Sequence, residues 1–125
     1  MGKLLERLKD PARSGVYRVE RVDEVLDATK GSQLQLARIS HAEKSRLMTN
    51  IAKALEFPDW FGHNWDALED CLADLSWREA PGYVLLFDNA KRGDELGVLI
   101  DILRSSAESW AGRGKPFFAV FVDPT

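Results

Sequence analysis

The 125 residues include one cysteine and two histidines, and the stretch 54–77 contains no lysine or arginine. A single cysteine, Cys71, excludes an internal disulfide and fits a reducing compartment. No apolar run is long enough to span a bilayer; near the N-terminus Leu4, Leu5 and Leu8 are interrupted by charges. Neither a leader peptide nor a membrane anchor is therefore expected. Met1-Gly2 opens like a myristoylation site, but Glu6 stands where serine or threonine is required. Internal repeats and low-complexity tracts are missing too, and the expected compartment is the cytoplasm.

The cation-free stretch matters more than the overall charge. Residues 1–53 carry a net charge of +4, residues 54–77 carry −6 and residues 78–125 carry −1, in a chain of net −3. The negative charge is thus focused on one segment, which would attract a basic partner and raise its association rate. A net negative chain is also a poor direct ligand for nucleic acid.

With 45% hydrophobic residues, a chain of this length can bury a proper core. Residues 3–9 read as a short helix ended near Asp10-Pro11, Ser14-Gly15 as a turn, and Val16 to Val19 as a short strand. Val22 to Thr29 suggests one or two helical turns. From Gln33 onward the signals sharpen. Leu34 to Ile39 alternates as a strand, and Ser40-His41-Ala42-Glu43 matches a capping box, which would open a helix burying Leu47, Met48, Ile51 and Leu55. Tyr83 to Phe87 and Phe117 to Val122 are continuous apolar runs, typical of parallel strands buried on both faces. Between them a helix should start at Asp94 or Glu95 and run through Leu96, Leu99, Leu103, Ala107 and Trp110. The expected fold is α/β, a small three-stranded parallel sheet covered by helices over residues 33–125. Residues 1–32 form an N-terminal extension, read either as an added edge strand or as a partly independent arm.

The cation-free stretch has its own architecture. Pro58 stops the preceding helix, and Gly62 either takes backbone angles other residues avoid or lets a partner approach closely. Asn64 is a good N-cap for a helix from Trp65 to Leu75. At the helical period, Trp65, Leu68, Cys71, Leu72 and Leu75 gather on one face, and Asp66, Glu69, Asp70, Ala73 and Asp74 on the other. Like charges one turn apart, such as Asp66 and Asp70, cost a helix a few tenths of a kcal/mol. Only Asp66, in the first turn, is helped by the helix dipole.

Pro58-Asp59-Trp60-Phe61-Gly62-His63-Asn64-Trp65-Asp66-Ala67-Leu68, followed by Asp70-Cys71-Leu72, resembles the signature of the barstar family. These are small intracellular inhibitors of secreted guanyl-specific ribonucleases. The order of elements from about residue 33 to 123 is similar as well. The resemblance implies a partner that is a small, basic, barnase-like ribonuclease, with no catalysis, no cofactor and a monomeric inhibitor. It implies a partner-binding set of Asp59, Trp60, Gly62, Asn64, Asp66, Glu69, Asp70, Ala73 and Asp74. Asp70 would occupy the enzyme's phosphate site beside Asp66, where carboxylates accept charge-assisted hydrogen bonds. Trp60 would stack on a ring or guanidinium, and Gly62 and Asn64 would fit the partner closely. Departures occur: Glu69 stands where the best-known inhibitor has an aromatic residue, and Ala73 and Asp74 replace small groups near its contact surface. Leu96, with Glu95 beside it, stands where an acidic contact is expected at the start of the later helix.

Two other readings are open at this level. The acidic face could serve a different basic protein. Alternatively, Asp88 and Asp123, at the ends of buried strands with Ser40 ending a third, could hold Mg²⁺ for phosphoryl transfer. His63, Asp66 and Asp70 have a spacing that could ligate a metal, although a solvated loop histidine is the simpler expectation.

Overall fold

A computed structural model describes residues 2–90 and 97–124. Four strands, β1 (Gly15–Val19), β2 (Gln35–Ser40), β3 (Tyr83–Asp88) and β4 (Phe117–Val122), form one parallel sheet in the order β1-β4-β3-β2. The helices are α1 (Gly2–Leu8), α2 (Asp23–Thr29), α3 (Lys44–Ala54), α4 (Trp65–Asp74) and α5 (Gly97–Gly112).

The α/β class is as the sequence implies, but the sheet has four strands rather than three. The fourth is β1, whose Val16 and Tyr17 lie beside Ala119 and Val120 of β4. Its pairing is reinforced by the Phe117 amide, which donates to Ser14 Oγ over 3.0 Å. With β1 and β3 on either side, β4 has no free edge, and all six of its residues are buried.

Alternation along the strands sorts the core into two layers. Tyr83, Leu85, Phe87, Phe117, Ala119 and Phe121 face α3, α4 and α5. Val84, Leu86, Phe118, Val120 and Val122 face α1 and α2 through Leu8 and Val25. Residues 1–32 thus supply both an edge strand and the cover for the sheet's second face. Leu34 and Leu36 belong to this second layer and are only half-buried, whereas Ala37 and Ile39 point into the first.

One local expectation changes. Ser40 does not cap α3, because its backbone is still in the β2–β3 ladder opposite Asp88. Glu43 is the N-cap instead, its carboxylate accepting from the amides of Ser45 and Arg46 at 3.0 Å each. The start of the later helix at Asp94 or Glu95 lies outside the described residues. Gly82, just before β3, is required by crowding: a β-carbon there would come within 2.6 Å of Pro116 Cγ and 2.8 Å of Leu34 Cδ2.

A chain beginning at Gln33 would keep the family-like elements but uncover one edge of β4 and the Val84–Leu86–Phe118–Val120 face. It should therefore aggregate or show a lower urea midpoint than the full chain, measured by circular dichroism and light scattering. An unchanged midpoint and a monodisperse product would mean that the N-terminal layer contributes nothing to stability.

Candidate functional site

The preceding loop and α4 form a single unit. α4 starts where Asn64 turns its side-chain oxygen onto the Ala67 amide at 2.8 Å. It ends at Leu75, which adopts the left-handed conformation (φ 48°) and returns its amide to the Cys71 carbonyl at 3.1 Å. A leucine is strained there by about 1 kcal/mol or more. It is held because its side chain, with those of Leu68, Cys71 and Leu72, is completely buried. At about 1.5–3 kcal/mol per fully buried leucine, this apolar face far outweighs the like-charge cost of the opposite one.

The last turn of α4 is tied to α5. Trp110 Nε1 donates to the Leu72 carbonyl (2.7 Å) and Arg113 Nη2 to the Ala73 carbonyl (2.7 Å), satisfying acceptors that a helix end leaves open. The Arg113 guanidinium lies 3.7 Å from the Trp110 ring centre. Arg113 therefore reaches α4 through its backbone and forms no ion pair with the acidic face.

Asp66, Glu69, Asp70 and Asp74 are all exposed, and Ala73 is half-buried between them. Among the described residues, none of these carboxylates, nor that of Asp59, has an ion pair or hydrogen-bonding cation. Lys44, which approaches the start of α4, lies instead over the Trp65 ring at 5.2 Å. Trp65 is half-buried against the core, as its spacing implies.

The loop is fixed by aromatic contacts. Phe57 meets Phe61 edge-on at 4.9 Å and Trp77 at 5.9 Å, and Trp77 Nε1 donates to the Leu55 carbonyl at 3.0 Å. Phe61 is buried, whereas Trp60 is 66% exposed, with one edge toward Trp77 at 6.5 Å. Glu56, ion-paired with Arg78, and His63 bracket the loop in left-handed conformations (φ 54° and 52°). The unusual backbone angle thus falls on His63 rather than Gly62. A β-carbon on Gly62 would lie 3.0 Å from Asn64 Nδ2, so its small size preserves the cap next to it. His63 rests on Phe61 (4.7 Å) and brings its Nδ1 within 3.2 Å of the Phe61 carbonyl.

The strand-end carboxylates are engaged differently. Asp88 Oδ2 accepts from Arg38 Nε, and Asp123 Oδ1 from Arg18 Nη1, each at 2.6 Å. Among the described residues no group of three or more histidine, cysteine, aspartate or glutamate side chains comes together as a metal site. Glu95 and Leu96 lie outside the described residues. Sequence reading missed Trp77 and Arg113. A tryptophan just past the acidic helix was a usable signal for the first; nothing local marked the second.

The family model described as Barstar (barnase inhibitor) matches residues 32–122. This chain belongs to the barstar family. No individual curated protein matches it. The barstar match ends where β4 ends and leaves α1, β1 and α2 outside it. Among the described residues, no helix of this barstar-family chain is long and apolar enough to cross a membrane.

Burial pushes the Cys71 thiol above its ordinary value, and the neighbouring Asp70 and Asp74 carboxylates push it the same way. Cys71 should resist thiol reagents in the folded protein and react fully in denaturant, as read with a chromogenic disulfide. Because the folded state holds this proton more tightly than the unfolded one, its contribution to stability is complete below the ordinary thiol range. It is lost as pH rises through and beyond about 8.5. Burial shifts the Tyr83 hydroxyl the same way. The urea midpoint should fall between neutral and strongly alkaline pH, and Cys71→Ala should fall less over the same interval. Removing the N-cap with Asn64→Ala should cost about 1 kcal/mol in the same assay.

Proposed function

We propose that this protein inhibits a secreted, basic, guanyl-specific ribonuclease by placing the acidic face of α4 and the loop before it in the enzyme's active site. One observation carries this reading: four exposed carboxylates stand without a partner cation among the described residues, on a helix whose Leu68, Cys71 and Leu72 are fully buried and whose end is tied to α5. Membership of a family described as barnase inhibitors supports it.

A ribonuclease collects arginine, lysine and histidine to hold a phosphodiester. Asp70 takes the place of the phosphate, with Asp66 one turn earlier and Glu69 and Asp74 widening the negative surface. Asp59 adds charge from the loop, and Trp60 lays its exposed ring on a partner ring or guanidinium. Gly62, Asn64 and Ala73 contribute closeness of approach. The unit is rigid before binding, so little ordering cost opposes association. An interface of about 1,600 Å² in total suffices. The inhibitor acts as a monomer in the cytoplasm, needs no cofactor and catalyses nothing.

Titration against a panel of small secreted ribonucleases should find one that is inhibited stoichiometrically. Asp70→Ala should weaken that complex by about 2–5 kcal/mol, mostly through faster dissociation, a range to which the barnase–barstar pair itself contributes. Its unfolding curve should be unchanged; a variant that loses its cooperative fold would make Asp70 structural. Association rates should fall steeply with salt, since the screening length shrinks to about 3 Å near 1 M. Rates that stay flat across that range would remove charge steering.

A further inference from the structure

The N-terminal layer does not close fully over the sheet. Between α1 and the neighbouring strands β1 and β4 lies a groove of about 220 Å³. Its floor is Tyr17 stacked on Phe118 (5.7 Å between ring centres) together with Val120, and its walls are Leu4, Leu8 and Val25. The Tyr17 hydroxyl, bonded to the Arg13 carbonyl, closes one end. The groove is open to solvent on one side, Tyr17 being 46% exposed, and its apolar lining favours an apolar occupant over water.

Among the described residues, Arg7, Arg13 and Arg18 line the groove and no aspartate or glutamate does. The Arg18 guanidinium lies over Phe121 on the other face of the sheet, which leaves Arg7 and Arg13 as the groove's cations. Arg18 is committed to Asp123. Arg13 has a loose contact with Asp10, 4.0 Å away, and Arg7 has no ion pair among the described residues. Glu6 and Asp10 lie with Arg7 and Arg13 around a neighbouring polar depression, outside the groove itself. An occupant therefore needs an apolar body for the floor and an anionic head for Arg7 and Arg13.

We propose that this groove binds a small amphipathic carboxylate whose apolar part lies on Tyr17, Phe118 and Val120 and whose head meets the two guanidinium groups. An apolar cavity of about 150 Å³ takes up benzene, so the space here suits roughly nine heavy atoms. The groove is on the face of the sheet opposite α3, α4 and α5, so the carboxylate and a partner on α4 can be held together. Binding to the folded form alone raises its stability by mass action.

The test uses the full chain with octanoate, and octylamine as a control of equal length and opposite charge. Octanoate should raise the melting temperature in a saturable way and shift the amide resonances of Leu4, Tyr17 and Val120, while octylamine should do neither. Arg7→Glu with Arg13→Glu, both exposed, should weaken octanoate binding by about tenfold or more. Val19→Phe, which narrows the groove from β1, should abolish it while the variant still melts cooperatively. Equal uptake of octanoate and octylamine, octanoate shifts confined to other residues, or no binding of octanoate would each overturn the proposal. So would double-glutamate and Val19→Phe variants that bind as the wild type does.

Discussion

Everything in the acidic surface depends on the docking of one short helix by its apolar face. α4 is ten residues long and carries four carboxylates, a combination that would not hold a helix in water by itself. Leu68, Cys71, Leu72 and Leu75 are driven into the core by the same sequence period that puts the acids outside. Trp110 then converts the helix end from a fraying terminus into a bonded one. Burial therefore supplies rigidity, and rigidity is what lets unpaired charge be presented at a fixed spacing.

The loop before α4 follows a related logic with different materials. Two non-glycine residues sit in left-handed conformations at its ends, and each is held by neighbours: Glu56 by Arg78, His63 by Phe61. The Phe57–Phe61–Trp77 group fills the space beneath. Among Phe57, Trp60, Phe61 and Trp77, Trp60 is the ring that turns its surface outward. Strain of this kind persists where surrounding contacts over-determine the backbone, and here it shapes the approach to the acidic helix.

Local signals explain which parts of the fold were legible in the sequence. Pro58, Asn64 and the leucine period mark α4 within a dozen residues, and the runs at Tyr83–Phe87 and Phe117–Val122 declare themselves as buried strands. The exposed carboxylates followed from the same period. The fourth strand was harder, because β1 has five residues and its partner lies about a hundred positions away, so nothing near Val16 names β4. The capping box failed through competition: Ser40 has the right neighbours, but the sheet ladder holds its backbone first. Gly62 was credited with conformational freedom that His63 uses, since composition shows a glycine and not which residue takes the turn. Arg113 was invisible because its role lies on a carbonyl of another helix.

The position of β4 between β1 and β3 has a consequence for how the sheet is made. The strand that lies second in space comes after the other three in chain order, so β1 finds its partner far downstream, and β3, already paired with β2, gains its second neighbour from the same strand. Until then β1 has no ladder to join, and β3 keeps one side open beside the hydrophobic faces of two unfinished layers. Completion of the sheet is thereby concentrated in one event, the arrival of β4 between two strands that wait for it.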